Sequence, residues 1–294
     1  MQNTTSQTIL FVINAKSGTG DKDYKQLIET HFAELPHKAE VYEMEEACKK
    51  EDIDKAINKY KPTKVVAIGG DGTVKLVAEV CMKAKLPVGI VPGGSANGMA
   101  KELGIPEDTT KALNAVVNGK CKKIHLIYVN DELCIHLSDI GFNAFIIKKF
   151  DSLDSRGMLG YAKAAWQVLR EHSEMEVEIK VNGKLEKKCA AMIVLANATK
   201  YGTGALINPD GSLEDDLFEV IVMKKLSLSE LFKMAVTRQS YNPKKTEVYQ
   251  TDNVRIVSKR KVHFQVDGEY LGQVQEIKAK LAPDSLEVIV PDEA

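Results

Sequence analysis

Short apolar runs and helix-like segments alternate along the first 120 residues of the chain. The apolar runs lie at 9–13, 64–68 and 87–92, and each ends in a polar or glycine-rich turn. Between the first two runs, apolar residues recur at helical spacing in 24–35 and 53–60. This order of strand and helix signals predicts an α/β domain built on a parallel sheet.

Shorter alternating segments dominate the second half. Residues 123–129 and 133–140 flank Asn130-Asp131, and residues 177–181 precede Asn182-Gly183. Such dipeptides between alternating segments predict antiparallel hairpins. Apolar residues at helical spacing predict a helix at 157–169. A second helix is predicted at 229–237, and strands are predicted at 191–196, 217–223, 254–258, 262–266 and 286–290. The second half is therefore predicted to be mostly β.

The segment from Gly69 to Thr73 joins the strand-like run 64–68 to a helix-like run at 74–84. Three glycines in four positions let backbone N–H groups approach a polyanion closely. Thr73 is predicted to cap the helix, whose positive dipole end then faces the same place. Asp71 among these amides indicates a divalent cation or a hydroxyl donor nearby. A tight turn without a ligand is the alternative interpretation.

Two further polar loops follow strand-like runs, one from Asn14 to Gly20 and one from Gly93 to Gly104. Loops at the carboxyl ends of parallel strands meet at one edge of a sheet, so the three turns are predicted to converge on one ligand. The alternative is that Ser95 only caps a helix and Asn97-Gly98 forms a local kink.

Composition narrows the class of protein. The 294 residues are 44% hydrophobic and 28% charged, as in a soluble protein with room for two domains. A formal net charge of −1 argues against a nucleic acid partner. The five cysteines show no CxxC spacing and fit a reducing cytoplasm. No signal peptide or membrane span is recognisable, so any membrane contact is expected to be peripheral.

Two acidic stretches in the second half carry candidate chemistry. Residues 210–216 hold four carboxylates, which suit either a hard cation or a solvated turn. The dipeptide Asp267-Gly268 is first of all a hairpin signal.

These motifs resemble those of the diacylglycerol kinase catalytic-domain family, the soluble bacterial lipid kinases related to sphingosine kinases. Residues 14–18 resemble the family's Asn-Pro-x-Ser-Gly loop, and 69–73 match its signature loop. Residues 92–101 correspond to its Pro-x-Gly-Thr-x-Asn-Asp-x-Ala-Arg stretch. Residues 140–144 and 267–269 also resemble family motifs. The chain departs from the pattern at Ala15, Ser95, Gly98 and Lys101, of which Gly98 removes an acidic side chain.

The resemblance implies an α/β N-terminal nucleotide-binding domain, a mostly antiparallel β-sandwich C-terminal domain, and a cleft between them. We place the first domain at 1–122, with 284–294 returning to it. The β-rich substrate and catalytic domain is placed at 123–283.

The activity implied is that of an ATP-dependent, Mg²⁺-assisted lipid kinase that phosphorylates a hydroxyl of diacylglycerol or a related lipid. The implied catalytic residues are Glu269, Asp267 and Asp71, with Glu269 the first choice to accept the hydroxyl proton. The implied nucleotide-binding residues are Asn14, Lys16, Ser17, Gly18, Gly69, Gly70, Gly72, Thr73, Ser95 and Asn97. A structural Mg²⁺ is implied at Asp215, Leu217 and Asp210.

The lipid would be taken from a membrane surface by transient peripheral contact of a cytoplasmic protein, through an apolar wall and a basic rim. Candidate rim residues are Lys148, Lys149, Arg156 and Lys163, although solvated surface charge explains them equally well. The sequence leaves the oligomeric state open, with a homodimer as one option. Two rival functions also stay open: a small-molecule kinase acting on NAD, and a non-catalytic nucleotide-binding regulator.

Overall fold

A computed structural model of the chain describes residues 6–14, 22–46, 48–151, 168, 174–201, 205–206, 208, 211–225 and 243–292. Internal contacts divide the chain into two compact units. The first comprises residues 1–124 and 284–294, and the second comprises residues 125–283.

Strands and helices alternate in the first unit. Its elements up to residue 124 are β1 (Thr8–Ile13), α1 (Tyr24–Phe32), β2 (Lys38–Glu43), α2 (Lys50–Tyr60), β3 (Lys64–Gly69), α3 (Asp71–Ala84), β4 (Val88–Pro92), α4 (Gly98–Glu102), α5 (Thr109–Asn118) and β5 (Lys120–Ile124). Helix α2 shows why the polar and apolar pattern folds this way. Its buried residues Ile53, Ala56 and Ile57 follow helical spacing and form one apolar face.

The second unit is mostly β. Its elements are β6 (Ile127–Val129), β7 (Glu132–Cys134), β8 (Leu137–Gly141), α6 (Phe142–Asp151), β9 (Met175–Val181), β10 (Lys184–Ala190), β11 (Met192–Ala196), β12 (Lys200–Tyr201), β13 (Ala205–Leu206), β14 (Phe218–Met223), a 3-10 helix (Pro243–Lys245), β15 (Thr246–Thr251), β16 (Asn253–Val266) and β17 (Glu269–Leu281). The last strand, β18 (Leu286–Val290), belongs to the first unit.

The sheet of the first unit has the strand order β2-β1-β3-β4-β18-β5 within the described residues. Strands β1 to β4 and β18 run parallel, and β5 pairs antiparallel with β18. Consecutive residues are buried at 9–13, 65–69 and 88–92. Both faces of these strands are therefore covered, as is typical of a parallel sheet in an α/β domain.

The second unit is an antiparallel β-sandwich, as predicted. Strand β16 pairs with β9 through residues 254–258 and with β8 through residues 264–266, so the sheet divides into two layers along this strand. Buried side chains from both layers, including Ile179, Val220 and Phe264, form one hydrophobic core.

Four predicted strands have different bounds in the structure. The segment predicted as one strand at 123–129 is divided, because β5 pairs in the first sheet and β6 in the second. The strand predicted at 133–140 is interrupted after Cys134, where backbone N–H groups donate to a carboxylate instead of a neighbouring strand. The two strands predicted between 254 and 266 are one strand, β16, with a register shift.

Helix α6 and strand β17 are absent from the sequence-based prediction. The first turn of α6 is nearly all apolar, so it reads equally well as a continuation of β8. The helices predicted at 157–169 and 229–237 lie outside the described residues, apart from Val168, which is helical and buried. In the part of the chain that the structure covers, no helix is long and apolar enough to span a membrane.

Candidate active site

The strand order of the first sheet creates a topological switch point beside β1. The chain leaves β1 to form β2 on one side and later returns to form β3 on the other. In open α/β sheets, a crevice for ligands opens at the carboxyl ends of the strands at such a point. Asn14 follows β1 and Gly70 follows β3, so both lie at this edge.

Asn14 connects the loop after β1 to the loop after β3. Its backbone N–H donates to the Ile68 carbonyl at 3.0 Å, and its side-chain Nδ2 donates to Oγ1 of Thr73 at 3.2 Å. Thr73 is buried within the first turn of α3. The prediction that Thr73 caps this helix is wrong, because Gly70 occupies the cap position and the helix begins at Asp71.

The loop after β4 lies directly against the loop after β3. The N–H of Gly93 donates to the carbonyl of Gly69 at 2.9 Å. A Cβ added to Gly94 would lie 2.5 Å from the Cα of Gly70, closer than real Cβ contacts allow. The two backbones therefore approach each other only because both positions lack side chains.

Asn97 holds the loop after β4 in shape. Its side-chain Oδ1 accepts the N–H of Gly94 at 2.9 Å, and its Nδ2 donates to the Gly94 carbonyl at 2.8 Å. Asn97 itself has a φ of 49° and caps helix α4. Ser95, in the same loop, is exposed to solvent.

Asp71 joins the loop after β3 to α4. Its Oδ2 accepts the N–H of Gly98 at 2.9 Å, and its Oδ1 accepts the N–H of Met99 at 3.0 Å. A carboxylate at the start of a short helix satisfies amides that have no intrahelical acceptor. Both oxygens of Asp71 thus have a positioning role in the loop cluster.

The structure brings Asn14, Gly69, Gly70, Thr73 and Asn97 together through these contacts. Gly72 is exposed in the first turn of α3, and a Cβ added there would meet nothing within 4 Å. The first N–H groups of a helix lack intrahelical acceptors and face its positive dipole end. This glycine-lined backbone fits the phosphates of a nucleotide. Three predicted nucleotide-binding residues, Lys16, Ser17 and Gly18, lie outside the described residues.

In the second unit, Asp267 and Gly268 form the two-residue turn between β16 and β17. Their φ values are 50° and 86°, as a type I′ hairpin turn requires. The carboxylate of Asp267 accepts backbone N–H groups from Ile135 at 3.1 Å, His136 at 2.9 Å and Leu137 at 3.2 Å. Asp267 therefore fastens the turn to the segment between β7 and β8.

The side chain of Glu269 is exposed, whereas the carboxylate of Asp267 accepts backbone N–H groups. Glu269 is the first residue of β17, and its exposed side chain has no hydrogen bond or ion pair within the part of the chain that the structure describes. Of the two carboxylates predicted to act as a pair, only Glu269 is thus unengaged by the surrounding described protein.

Two polar residues beneath this turn are not among the predicted site residues. Asp139 and Gln265 are 1% and 2% exposed, and the amide of Gln265 donates to the carboxylate of Asp139. Each stands in a largely buried strand segment, 137–141 or 262–266, that holds one further polar residue, Ser138 or His263. A polar residue inside such a run is the signal that would have identified them, because buried polar groups need partners.

The predicted structural cation site is incompletely described. Asp210 lies outside the described residues. Oδ1 of Asp215 accepts the N–H of Leu217 at 3.2 Å, which closes a local turn. No group of three or more histidine, cysteine or acidic side chains within the described ranges is arranged to hold a metal ion.

His125 lies buried near Asp215 and Asp216. Burial lowers the pKa of the His125 imidazole, and the two aspartates oppose this shift. Its ring nitrogens have no hydrogen-bond partner in the described structure. This histidine is not among the site residues predicted from the sequence.

Two of the four predicted rim lysines and arginines can be located, and both are on α6. Nζ of Lys148 lies 5.9 Å from the ring centroids of Phe145 and of Tyr270. Nζ of Lys149 lies 5.5 Å from the Phe145 ring. We call these four residues the aromatic-lysine surface. Arg156 and Lys163 lie outside the described residues.

Family models match the chain in two consecutive segments. Residues 8–129 match the diacylglycerol kinase catalytic domain, and residues 138–290 match the YegS C-terminal NAD kinase beta sandwich-like domain. The chain therefore belongs to the diacylglycerol kinase catalytic-domain family, a family of lipid kinases.

Individual relatives agree with this assignment. The chain is 28% identical over 220 residues to the diacylglycerol kinase of Bacillus subtilis, across 71% of this chain and 72% of the relative. It is 24% identical over 217 residues to the diacylglycerol kinase of Staphylococcus carnosus, across 71% of each protein.

Solved structures share the fold. The crystal structure of a diacylglycerol kinase from Bacillus anthracis has a TM-score of 0.73 at 16% identity, over 98% of both chains. An NAD kinase from Archaeoglobus fulgidus, crystallised in complex with ATP, has a TM-score of 0.54 at 13% identity, over 97% of this chain and 94% of that one.

Proposed function

We propose that the protein transfers the γ-phosphoryl group of ATP to a hydroxyl of diacylglycerol or a related lipid. The observation that carries the proposal is the contact between Gly70 and Gly94, where two backbones meet without side chains at the switch point of the sheet. Such a surface presents amide N–H groups to phosphate oxygens at close range. Family membership supports the lipid as acceptor.

In this proposal the first unit binds the nucleotide. Gly69, Gly70 and Gly72 offer backbone to the phosphates, while Asn14 and Asn97 maintain the loops that surround them. Lys16, Ser17, Gly18, Thr73 and Ser95 complete the proposed nucleotide-binding set. Bound Mg²⁺ would neutralise phosphate charge.

Glu269 is proposed to accept the proton of the lipid hydroxyl. An alcohol is a poor nucleophile at neutral pH, and a positioned carboxylate removes its proton as the phosphoryl group is transferred. Glu269 suits this role because its side chain is exposed and unengaged within the described structure. Asp267, whose oxygens accept three backbone N–H groups, is better suited to positioning the turn.

We further propose that the protein contacts membranes transiently from the cytoplasm through the aromatic-lysine surface. Lysines near an anionic bilayer each contribute about 1 kcal/mol, and aromatic rings favour the interface. Replacing Lys148 and Lys149 with alanine is expected to lower co-sedimentation with phosphatidylglycerol vesicles, whereas Lys184→Ala, on the exposed side of β10, is not. Equal vesicle binding by the Lys148/Lys149 double variant and by Lys184→Ala would refute the proposed membrane contact.

A kinase assay tests the main proposal. Purified protein is incubated with radiolabelled ATP, Mg²⁺ and a total lipid extract supplemented with NAD, and the labelled product is identified. A labelled phospholipid that disappears with Glu269→Gln supports the proposal. Labelled NADP would establish the NAD kinase alternative. ATP binding without any labelled product would favour a non-catalytic regulator.

A further inference from the structure

Both neighbours of Glu269 are held by side chains of β16. The N–H of Gly268 donates to Oε1 of Gln265 at 2.7 Å. On the other side, the hydroxyl of Tyr270 and Nδ1 of His263 form a hydrogen bond of 2.8 Å. The exposed Glu269 side chain has no described partner of its own. Its backbone pairs with Val266 of β16, and these two side-chain contacts hold the residues on either side of it.

Gln265 is itself anchored within a buried polar network. Its side-chain Nε2 donates to Oδ2 of Asp139, and its backbone carbonyl accepts the hydroxyl of Ser138 at 2.7 Å. The side-chain amide of Gln265 therefore binds the turn through its oxygen and Asp139 of β8 through its nitrogen. Because both groups are buried, losing either partner leaves a polar atom unsatisfied.

Asp139 connects this network to the start of α6. Its Oδ2 accepts Nδ2 of Asn143 at 2.7 Å, and its Oδ1 accepts the N–H of Ala144 at 2.8 Å. The second anchor also reaches α6, since the imidazole of His263 stacks on the ring of Phe145. Their centroids are 4.3 Å apart and their planes are inclined by 14°.

We propose that Gln265 and His263 are positioning residues for Glu269, and that α6 fixes both of them. This inference rests on the proposed role of Glu269 as the base. A general base must lie within hydrogen-bond reach of the proton that it removes, and a displacement of about 1 Å costs about 10²-fold in rate. The two anchors hold the residues before and after Glu269 against one helix, which limits such displacement.

Replacement of Gln265 by methionine removes both amide contacts while keeping a similar length. We expect kcat to fall by about 10²-fold with KM for ATP unchanged. Amide hydrogen exchange in peptides spanning 266–271 is expected to accelerate, because the N–H of Gly268 loses its acceptor. Gln275→Met, a change at an exposed position of the same hairpin, serves as the control for both measurements.

Gln265→Glu keeps the acceptor for Gly268 but sets a second carboxylate against Asp139. Two such carboxylates share a proton at acidic pH and repel each other once both are ionised. Asp267 is the titratable group of the adjoining turn, and Lys148 and Lys149 are the cations of α6. The activity of this variant relative to the wild type is therefore expected to fall as pH rises. A residue that only fills space would not create this pH dependence.

His263→Phe tests the second anchor, because it preserves an aromatic ring against Phe145 and removes the partner of the Tyr270 hydroxyl. It should lower kcat without loosening the contact with α6. Faster exchange at 266–271 together with unchanged kcat in the Gln265 and His263 variants would overturn the inference. If the wild type phosphorylates no substrate, the proposed function fails. Unchanged amide hydrogen exchange at 266–271 in Gln265→Met would instead refute the role of Gln265 in holding the turn.

Discussion

Asp71 and Gly98 are joined by a hydrogen bond, in which the backbone N–H of Gly98 donates to Oδ2 of Asp71 at 2.9 Å. The aspartate of the signature loop therefore holds the first turn of α4 in place. Gly98 is also the position at which the family pattern has a second acidic residue. At this position the chain offers Asp71 a backbone N–H and no second carboxylate.

Asp71→Asn is expected to destabilise the first unit. The asparagine oxygen can accept one of the two amides, but its NH₂ group then faces the other N–H and leaves it unsatisfied. Loss of a hydrogen bond to a charged acceptor costs about 1–3 kcal/mol, which urea unfolding can measure. Asp108→Asn is the control, since Asp108 caps α5 through the N–H of Lys111 and asparagine caps equally well. Equal stability of the two variants would contradict this role of Asp71.

Alanine substitutions should separate two glycines of the loop cluster. Gly94→Ala places a Cβ 2.5 Å from the Cα of Gly70, so the loops must separate and stability is expected to fall by about 1–3 kcal/mol. Gly72→Ala meets no atom within 4 Å and is expected to leave folding intact. Both should weaken ATP binding, the first by moving the loops and the second by covering exposed backbone. Isothermal titration with ATP and thermal unfolding measure the two effects, and a stable Gly94→Ala protein would contradict the predicted contact.

Local sequence signals identified most of the fold because glycine turns and apolar runs depend on nearby residues. The turns at Asn130-Asp131, Asn182-Gly183 and Asp267-Gly268 have positive φ at both positions, as hairpins of their type require. The division of 123–129 was not visible locally. Its two halves are equally suited to strands, and only their distant partners, β18 and β17, decide which sheet each half joins.

The roles of the site residues were harder to predict than their identities. Asp71 and Asp267 were recognised as important carboxylates, yet each accepts backbone N–H groups from a segment more than 25 residues away in the chain. Such long-range pairing leaves no periodic signal in the sequence. Gln265 was overlooked for the same reason, because its partner Asp139 lies 126 residues away in the chain.

Substitution of Asp267 should lower mainly the free energy of unfolding, whereas substitution of Glu269 should lower mainly turnover. Asp267→Asn weakens three backbone contacts and is expected to cost about 1–3 kcal/mol. Glu269→Gln should change stability by less than about 0.5 kcal/mol, because it is a surface position, and should lower kcat by about 10²–10⁴-fold. Urea unfolding and steady-state kinetics are measured on both, with Asp131→Asn, in another type I′ turn, as control. A large loss of stability in Glu269→Gln would argue against its assignment as an exposed base.

An ionic network joins two strands, each of which pairs with a single strand among the described residues. Strand β10 pairs with β9 and β15 with β14, whereas Nζ of Lys188 on β10 lies 2.6 Å from Oε2 of Glu247 on β15. Lys224 also lies 2.6 Å from this carboxylate, and the hydroxyl of Tyr249 donates to it at 3.0 Å. Hydrogen bonds from Lys188 and Lys224 lower the pKa of Glu247 to about 2. Side-chain links of this kind protect sheet edges that would otherwise be available for pairing.

Glu247→Gln is therefore expected to lower the free energy of unfolding by about 1 kcal/mol at pH 7, a typical value for an ion pair at a partly exposed site. Because the pKa of Glu247 is lower in the folded state than in the unfolded state, its stabilising effect is present above the unfolded pKa, about 4.3. That effect disappears as pH falls towards about 2. Urea unfolding at pH 7 and pH 3 should show a smaller difference between variant and wild type at the lower pH. Glu178→Gln, which breaks an exposed pair with Lys187, is the control, and a difference independent of pH would show that packing rather than charge is responsible.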